Sequence, residues 1–424
     1  MGTLAHADTL CAAGAPGSAA SVNHGVSAPD VSEVTPRVSG DMRLLHTSDW
    51  HLGRSFHREG LLEAQADFVD HLVETVRSER VDCVLVSGDV YDRALPAVDA
   101  VRLCDEALRR LGELTRVVLI SGNHDSVQRL GFGADLMDAS GVHIRTDPAR
   151  VGEPVLVGDT AIYGIPYLEP DLVRHPWELD ERSHAAALTE GMRRVRADLD
   201  RRRREGLRSV VLAHAFVTGG EASDSERDIS VGGAAHVPAA VFDGVDYVAL
   251  GHLHGRQAMT DRVRYSGSPL AYSFSEDRHV KGSWLVELED GGPGGAAVRA
   301  SFVEAPVPRR VARLRGRIDD LLTDPRYETY EDHWLQITLT DPRRPSSAME
   351  RLRRRFPHTL VLGFEPEGGA EEDARTWSER VKERSELDLA SDFVAEMGEA
   401  EPSEAERALL FEAFEACRRK DALL

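Results

Sequence analysis

The sequence predicts a layered α/β domain, followed by a smaller α/β unit and a helical tail. Two observations lead to the first domain. From residue 42 to about residue 303, short apolar runs alternate with helical patterns, the runs falling at 43–45, 83–86, 117–120, 161–165, 210–213 and 247–250. They are rich in Val, Ile and Leu and too short for helices, as expected of strands buried on both faces. Between the first two, Leu61, Ala64, Phe68, Leu72 and Val76 recur at helical spacing over 61–76, so one face of a helix packs on the sheet.

Residues 264–266 and 283–287 read as additional antiparallel strands. The second unit holds strand candidates at 334–339 and 359–364 around a basic helix at 347–356. An acidic, Gly-containing linker follows at 365–373. The last element is a helix beginning near Ser403, where Ser403 and Glu406 form a capping-box pattern. Leu410, Phe411, Phe414 and Cys417 then line one face. Residues 1–41 are rich in Ala, Gly, Ser, Val and Pro, without the basic start and continuous apolar centre of a secretory signal. A disordered extension is expected there, with Met42 a candidate start just before the first strand. The expected divisions are 1–41, 42–304, 305–365 and 366–424.

The formal net charge of −21 argues against a protein that simply coats DNA. The charge is uneven: residues 367–424 hold 17 acidic and 8 basic residues, a net of −9. Some of the remaining carboxylates are expected to face metal ions, whose charge a formal count omits. The four cysteines, Cys11, Cys83, Cys104 and Cys417, form no CxxC pair, and their spacings suggest neither a disulfide framework nor a zinc site, which fits a reducing compartment. No apolar run approaches a membrane span. Apart from Lys281, Lys382 and Lys420, the cationic residues are Arg, which reads as genomic base composition.

Five polar clusters each follow an apolar run: Asp49-Trp50-His51, Gly88-Asp89-Val90-Tyr91-Asp92, Gly122-Asn123-His124-Asp125, His214, and Gly251-His252-Leu253-His254. Ligands of open α/β sheets bind beyond the carboxyl ends of the strands, so five such clusters converge on one place. Carboxylate, imidazole and amide oxygen without thiolate suit Mn, Fe or Zn ions. In Asp49-x-His51 and His252-x-His254, alternate side chains of an extended segment leave on one side and form a pincer. Glycines 88, 122 and 251 allow tight backbone turns beside them. Each piece alone is weak among 17 histidines, but the ordered set is specific.

These clusters resemble the calcineurin-like metallophosphoesterases. The longer stretches 46–54 (HTSDWHLGR), 86–92 (VSGDVYD), 122–126 (GNHDS), 225–229 (SERDI), 249–254 (ALGHLH) and 264–269 (RYSGSP) resemble the bacterial SbcD family of exonuclease subunits. The resemblance implies a four-layer β-sandwich flanked by helices, a smaller α/β capping domain that positions DNA, and a C-terminal helical segment. It implies two divalent metal ions, Mn foremost, with Mg, Fe or Zn as alternatives. Asp49, His51, Asp89 and His254 would hold one ion, and Asp89, Asn123, His214 and His252 the other. His124 would serve the leaving oxygen and Asp92 would orient it. Arg351, Arg353, Arg354 and Arg355 are candidates for phosphate contact, or a solvated helix face. The implied partners are DNA and an SbcC-type ATPase docked on Leu410, Phe411 and Phe414, in a heterotetramer containing a homodimer. The implied activity is ATP-linked 3′→5′ double-strand exonuclease and single-strand or hairpin endonuclease, serving DNA repair and recombination in the cytoplasm, at the nucleoid. The alternative is a small-molecule phosphatase or cyclic-nucleotide phosphodiesterase on the same scaffold.

Overall fold

Each apolar run becomes a strand because both its faces are covered. The computed structural model describes residues 40–202, 207–229, 236–289, 295–367, 385–398 and 402–421. The expected disordered extension up to residue 39 and most of the acidic linker lie outside the described residues.

Four parallel strands form the first sheet: β1 (Met42–Thr47), β2 (Cys83–Ser87), β3 (Arg116–Ile120) and β4 (Val142–Arg145). The second sheet runs β9-β10-β8-β7-β6-β5, comprising β5 (Val155–Val157), β6 (Thr160–Ile165), β7 (Arg208–His214), β8 (Tyr247–Gly251), β9 (Gln257–Ala258) and β10 (Val263–Tyr265). In it β6, β7, β8 and β10 are parallel, and the two edge strands are antiparallel. Strands β11 (Gly282–Glu289) and β12 (Ala297–Glu304) return antiparallel to the first sheet beside β1.

Side-chain alternation divides the core. Leu45, Val84, Val86, Val117 and Leu119 pack with residues of α1 (Leu62–Glu79) and α2 (Val98–Gly112). Their neighbours Leu44, Cys83, Leu85, Val118 and Ile120 meet Ile162, Val210, Leu212, Tyr247 and Ala249 between the sheets. Ala161, Tyr163, Val211, Ala213, Val248 and Leu250 face α3 (His184–Arg202). The result is four layers, helix–sheet–sheet–helix. Each fully buried Leu, Ile or Val contributes about 1.5–3 kcal/mol.

One histidine is locked inside this core. His46 Nε2 lies 3.1 Å from the Leu250 carbonyl and Nδ1 lies 2.9 Å from the Tyr247 hydroxyl. The carbonyl can only accept, so the proton sits on Nε2 and the imidazole is neutral. His46 is fully buried.

The second unit is a parallel sheet, β13 (Val311–Gly316), β14 (Trp334–Leu339) and β15 (Thr359–Phe364), with β14 central. Its core joins Leu314, Leu335 and Ile337 to Ile318 and Leu321 of α4 (Ile318–Thr323) and Leu352 of α5 (Ala348–Arg355). The arginines of α5 are engaged within the chain. Arg351 pairs with Asp319, Arg354 with Glu350 and Arg355 with Glu331, while Arg353 donates to the Thr359 carbonyl. The unit meets the sandwich where Val311, Trp334, Leu360 and Val361 pack with Phe56, Leu270, Tyr272 and Phe274.

Two helices, α6 (Glu386–Gly398) and α7 (Glu404–Asp421), end the described chain. The capping box forms: the Ser403 hydroxyl and amide each lie 2.7 Å from the Glu406 carboxylate. Leu410 and Phe414 are half-buried, whereas Phe411 remains exposed. The side chain of Cys417 lies outside the described residues. Among the described residues no helix is long and apolar enough to cross a membrane.

Burial pushes the pKa of His46 down from 6.5 to about 3. When unfolded, the same residue takes up a proton near its ordinary value. Between the two values the unfolded chain binds more protons, so stability falls as pH falls, by up to about 1.4 kcal/mol per pH unit. Urea midpoints should therefore drop between pH 7.5 and 5.5. His46→Gln, which cannot titrate, should flatten that slope, and an unchanged slope would refute the assignment.

Candidate metal centre

Parallel strands deliver their carboxyl ends to one edge. β1, β2 and β3 finish at Thr47, Ser87 and Ile120; β7 and β8 finish at His214 and Gly251. The chain continues from these ends into the five polar clusters. Main-chain hydrogen bonds tie the turns together: Asp49 N–H donates to the Gly88 carbonyl at 3.0 Å and His51 N–H to that of Asp89 at 2.9 Å. The Asp125 carboxylate accepts from the N–H groups of Val90, Tyr91 and Gly122 at 3.1, 2.9 and 2.9 Å. Asp125 is thus the clasp between two turns, and Ser126 caps the short helix that follows.

The turns are strained. Asp49, His51, Asp89 and His252 have φ of 54°, 44°, 49° and 104°, in the region that L side chains avoid. Such residues cost about 1–3 kcal/mol each and persist where the surroundings over-determine them. Two of the glycines serve close approach rather than turning. A Cβ on Gly251 would lie 1.9 Å from the Ser87 carbonyl oxygen, and one on Gly122 would lie 2.2 Å from Asp89 Oδ1.

All seven expected ligands meet here. His51 Nε2 lies 3.1 Å from His254 Nε2 and 3.5 Å from Asp89 Oδ2. Donor atoms of Asp49, His51 and His254 fall within 4.8 Å of one another, as do those of Asp49, Asp89 and His214. His214 Nε2 lies 3.6 Å from Asp89 Oδ2 and 2.9 Å from Asn123 Oδ1. His252 Nδ1 lies 3.2 Å from the same amide oxygen. Asp89 therefore stands between two groups, one containing Asp49, His51 and His254, the other Asn123, His214 and His252.

The electrostatics fit divalent cations. Burial lowers the pKa of His51, His214 and His252, keeping the imidazoles neutral with lone pairs available. Burial, then the Asp89 charge, raises Asp49 well above the usual carboxylate range. His214 Nδ1 lies 2.9 Å from the Ser87 carbonyl, so its proton is on that side and Nε2 is an acceptor. That acceptor faces the Asn123 and Asp89 oxygens, and the Asn123 amide nitrogen is buried without a hydrogen-bond partner. Acceptors aimed at acceptors repel unless positive charge lies among them. The cluster can hold two metal ions, and among the described residues no thiolate takes part: Cys83 and Cys104 are buried elsewhere in the core. Divalent ions in such a donor set supply Lewis acidity toward a phosphoester and acidify a water.

His124 is buried beside this group, with Nε2 at 3.9 Å from Asp89 Oδ2 and its N–H donating to Asp89 Oδ1 at 2.8 Å. His124 Nδ1 lies 2.8 Å from the Asp92 carbonyl oxygen. The Asp92 carboxylate instead lies 3.6 Å from Arg54 and 3.8 Å from His51 Nδ1.

Several supporting residues carry no assigned role in the sequence, although Ser225 and Glu226 lie in the 225–229 stretch. Gln65 donates to the His51 and Trp50 carbonyls from the buried face of α1. Its signal was available: a polar residue at an inward helical position. Glu226 accepts the His254 N–H at 2.7 Å. Half-buried Ser225 and buried Glu276 and Lys281 form a chain behind His254. Lys281 carried a faint signal as one of three lysines in the chain.

Gly122→Ala would drive a methyl into Asp89. We expect far-UV circular dichroism close to that of the parent and a loss of tight Mn binding by titration calorimetry, with destabilisation of about 1–3 kcal/mol. Unchanged Mn affinity would contradict the packing described.

The sequence matches the family model for calcineurin-like phosphoesterases over residues 42–256. Residues 307–398 match a model of the SbcD C-terminal region, described as a type 5 capsule protein repressor C-terminal domain. Similar solved structures include GAP50, the anchor in the inner membrane complex of Plasmodium, at 13% identity and TM-score 0.38, covering 78% of this chain and 99% of that one. The protein TT1561 of Thermus thermophilus is 12% identical with TM-score 0.35, covering 62% of this chain and 98% of that one. A dimetal phosphatase from Danio rerio is 13% identical with TM-score 0.36, over 62% and 99% of the two chains. With a metal-binding donor set at the strand ends and one family model spanning half its length, the chain belongs to the calcineurin-like phosphoesterases, metal-dependent hydrolases, and within them to the SbcD type.

Proposed function

We propose that the protein is the nuclease subunit of an SbcCD-type complex, hydrolysing DNA phosphodiester bonds with two Mn ions. The observation that carries this reading is one chain holding both the seven-residue donor set and an SbcD-type C-terminal region. Asp49, His51, Asp89 and His254 hold one ion; Asp89, Asn123, His214 and His252 hold the other. His124 protonates or stabilises the leaving oxygen from Nε2, its other nitrogen anchored on the Asp92 carbonyl. Asp92 is thereby a positioning residue. The activities are 3′→5′ exonuclease on duplex DNA and endonuclease on single strands and hairpins, coupled to ATP through the partner and used in repair and recombination in the cytoplasm.

The partner is an SbcC-type ATPase that covers the exposed Leu409 and Phe411 with half-buried Leu410 and Phe414 of α7. A second copy of the chain covers another apolar patch. Leu95, Val98 and Val101 are exposed on and just before α2, an apolar surface suited to a homodimer.

His124→Ala should lower Mn-stimulated digestion of linear and hairpin DNA by about 10²–10⁴-fold while metal content stays near that of the parent. Comparable digestion by the variant would remove His124 from the chemistry. Rapid hydrolysis of a mononucleotide ester with DNA left intact would replace the nuclease reading by a small-molecule phosphatase. Deletion after Ala400 should abolish co-purification with the ATPase and retain basal Mn-dependent nuclease activity. Association unchanged by the deletion would refute the docking assignment.

A further inference from the structure

Ligand imidazoles need a defined tautomer, and His214 obtains it from the Ser87 carbonyl. His254 has no such carbonyl. Its Nδ1 lies 2.6 Å from the Ser225 hydroxyl oxygen. A hydroxyl can donate or accept, so alone it leaves the imidazole proton undetermined. The ambiguity is resolved one residue further on. Ser225 Oγ lies 2.7 Å from Glu276 Oε1, and the other oxygen of that carboxylate pairs with Lys281. Lys281 Nζ also donates to the Ser268 hydroxyl at 2.9 Å and to the His254 carbonyl at 3.0 Å, so the ammonium is fully used. Glu276 and Lys281 are both buried. The desolvation of such a pair is large and often exceeds its attraction, so the pair alone is a weak source of stability.

We infer that Ser225, Glu276 and Lys281 form a positioning relay that places the proton of His254 on Nδ1 and turns the Nε2 lone pair toward the ion shared with Asp49, His51 and Asp89. Each step follows from donor and acceptor capacity. An ionised Glu276 only accepts, so it captures the Ser225 proton. Ser225 then has only lone pairs left for His254, whose Nδ1 must donate. Nε2 is unprotonated and faces His51 Nε2 at 3.1 Å. The His254 N–H donates to Glu226 and its carbonyl accepts from Lys281, which fixes the residue's backbone as well. The second ion site receives none of these contacts, so the relay acts on one ion of the two. Partners that orient a ligand histidine are worth about 10–100-fold in metal affinity.

The inference rests on the two-ion assignment above and on no assay of DNA cleavage. The test measures Mn binding to the full chain by titration calorimetry and by electron paramagnetic resonance, which separates coupled ion pairs from isolated Mn. The parent should bind two ions with a coupled signal; a parent that binds fewer overturns the two-ion reading and the relay with it. Ser225→Ala should bind one ion as the parent does and the other about 10–100-fold more weakly, giving an isolated-Mn signal. Ser225→Thr, which keeps the hydroxyl, should restore the coupled pair. Glu276→Gln is the second variant: its amide can donate to Ser225, freeing the hydroxyl to donate to His254 Nδ1, and the same selective loss is expected. Two ions bound at parental affinity in Ser225→Ala would overturn the relay. So would equal weakening of both ions, or failure of Ser225→Thr to restore the pair.

Discussion

Seven acceptor side chains, the Asp89 carboxylate central among them, are packed in a place where they repel one another unless cations lie between them. Much of the rest of the molecule serves to impose that crowding. Two sheets stacked through Leu44, Leu85, Val118, Ile162, Val210 and Leu212 bring two sets of strand ends to one edge. The turns beyond them hold four non-glycine ligand candidates, Asp49, His51, Asp89 and His252, at positive φ. A rigid sandwich can sustain such strain, and bound ions relieve the repulsion, so folding and metal affinity are linked.

The surroundings divide the work. Asp125 clasps the second and third turns, Gln65 holds the first from the helix above it, and the segment around Ser225 lies against His254. That segment is also tied to the second unit. Glu276 sits in a short turn next to Asp277, which pairs with Arg313 of β13 at 3.0 Å. The contact through Phe274, Phe56 and Trp334 lies at the same place. The second unit is therefore anchored close to the support of one ligand histidine. Its own helix arginines Arg351, Arg354 and Arg355 have acidic partners within the unit.

The sequence by itself determined the strands, the helix at α1 and the identity of the clusters. Runs such as 83–86 are apolar on consecutive residues, which only burial on both faces explains, and the polar residues that follow them have no business in a core unless they meet a ligand. Local pattern also located the capping box at Ser403. Tertiary structure decided what spacing cannot encode. His46 opens the stretch 46–54, but nothing local tells that Tyr247 and Leu250, 201 and 204 positions away, meet it. It named Asp92 as an orienting residue but could not tell the carbonyl from the carboxylate, since that depends on how one turn lies against another. It read the scarcity of lysine as composition, whereas Lys281 has a buried partner and a buried task. Hydrogen-bond direction and proton position arise from contacts between distant segments, and they exist only once the chain has closed around them.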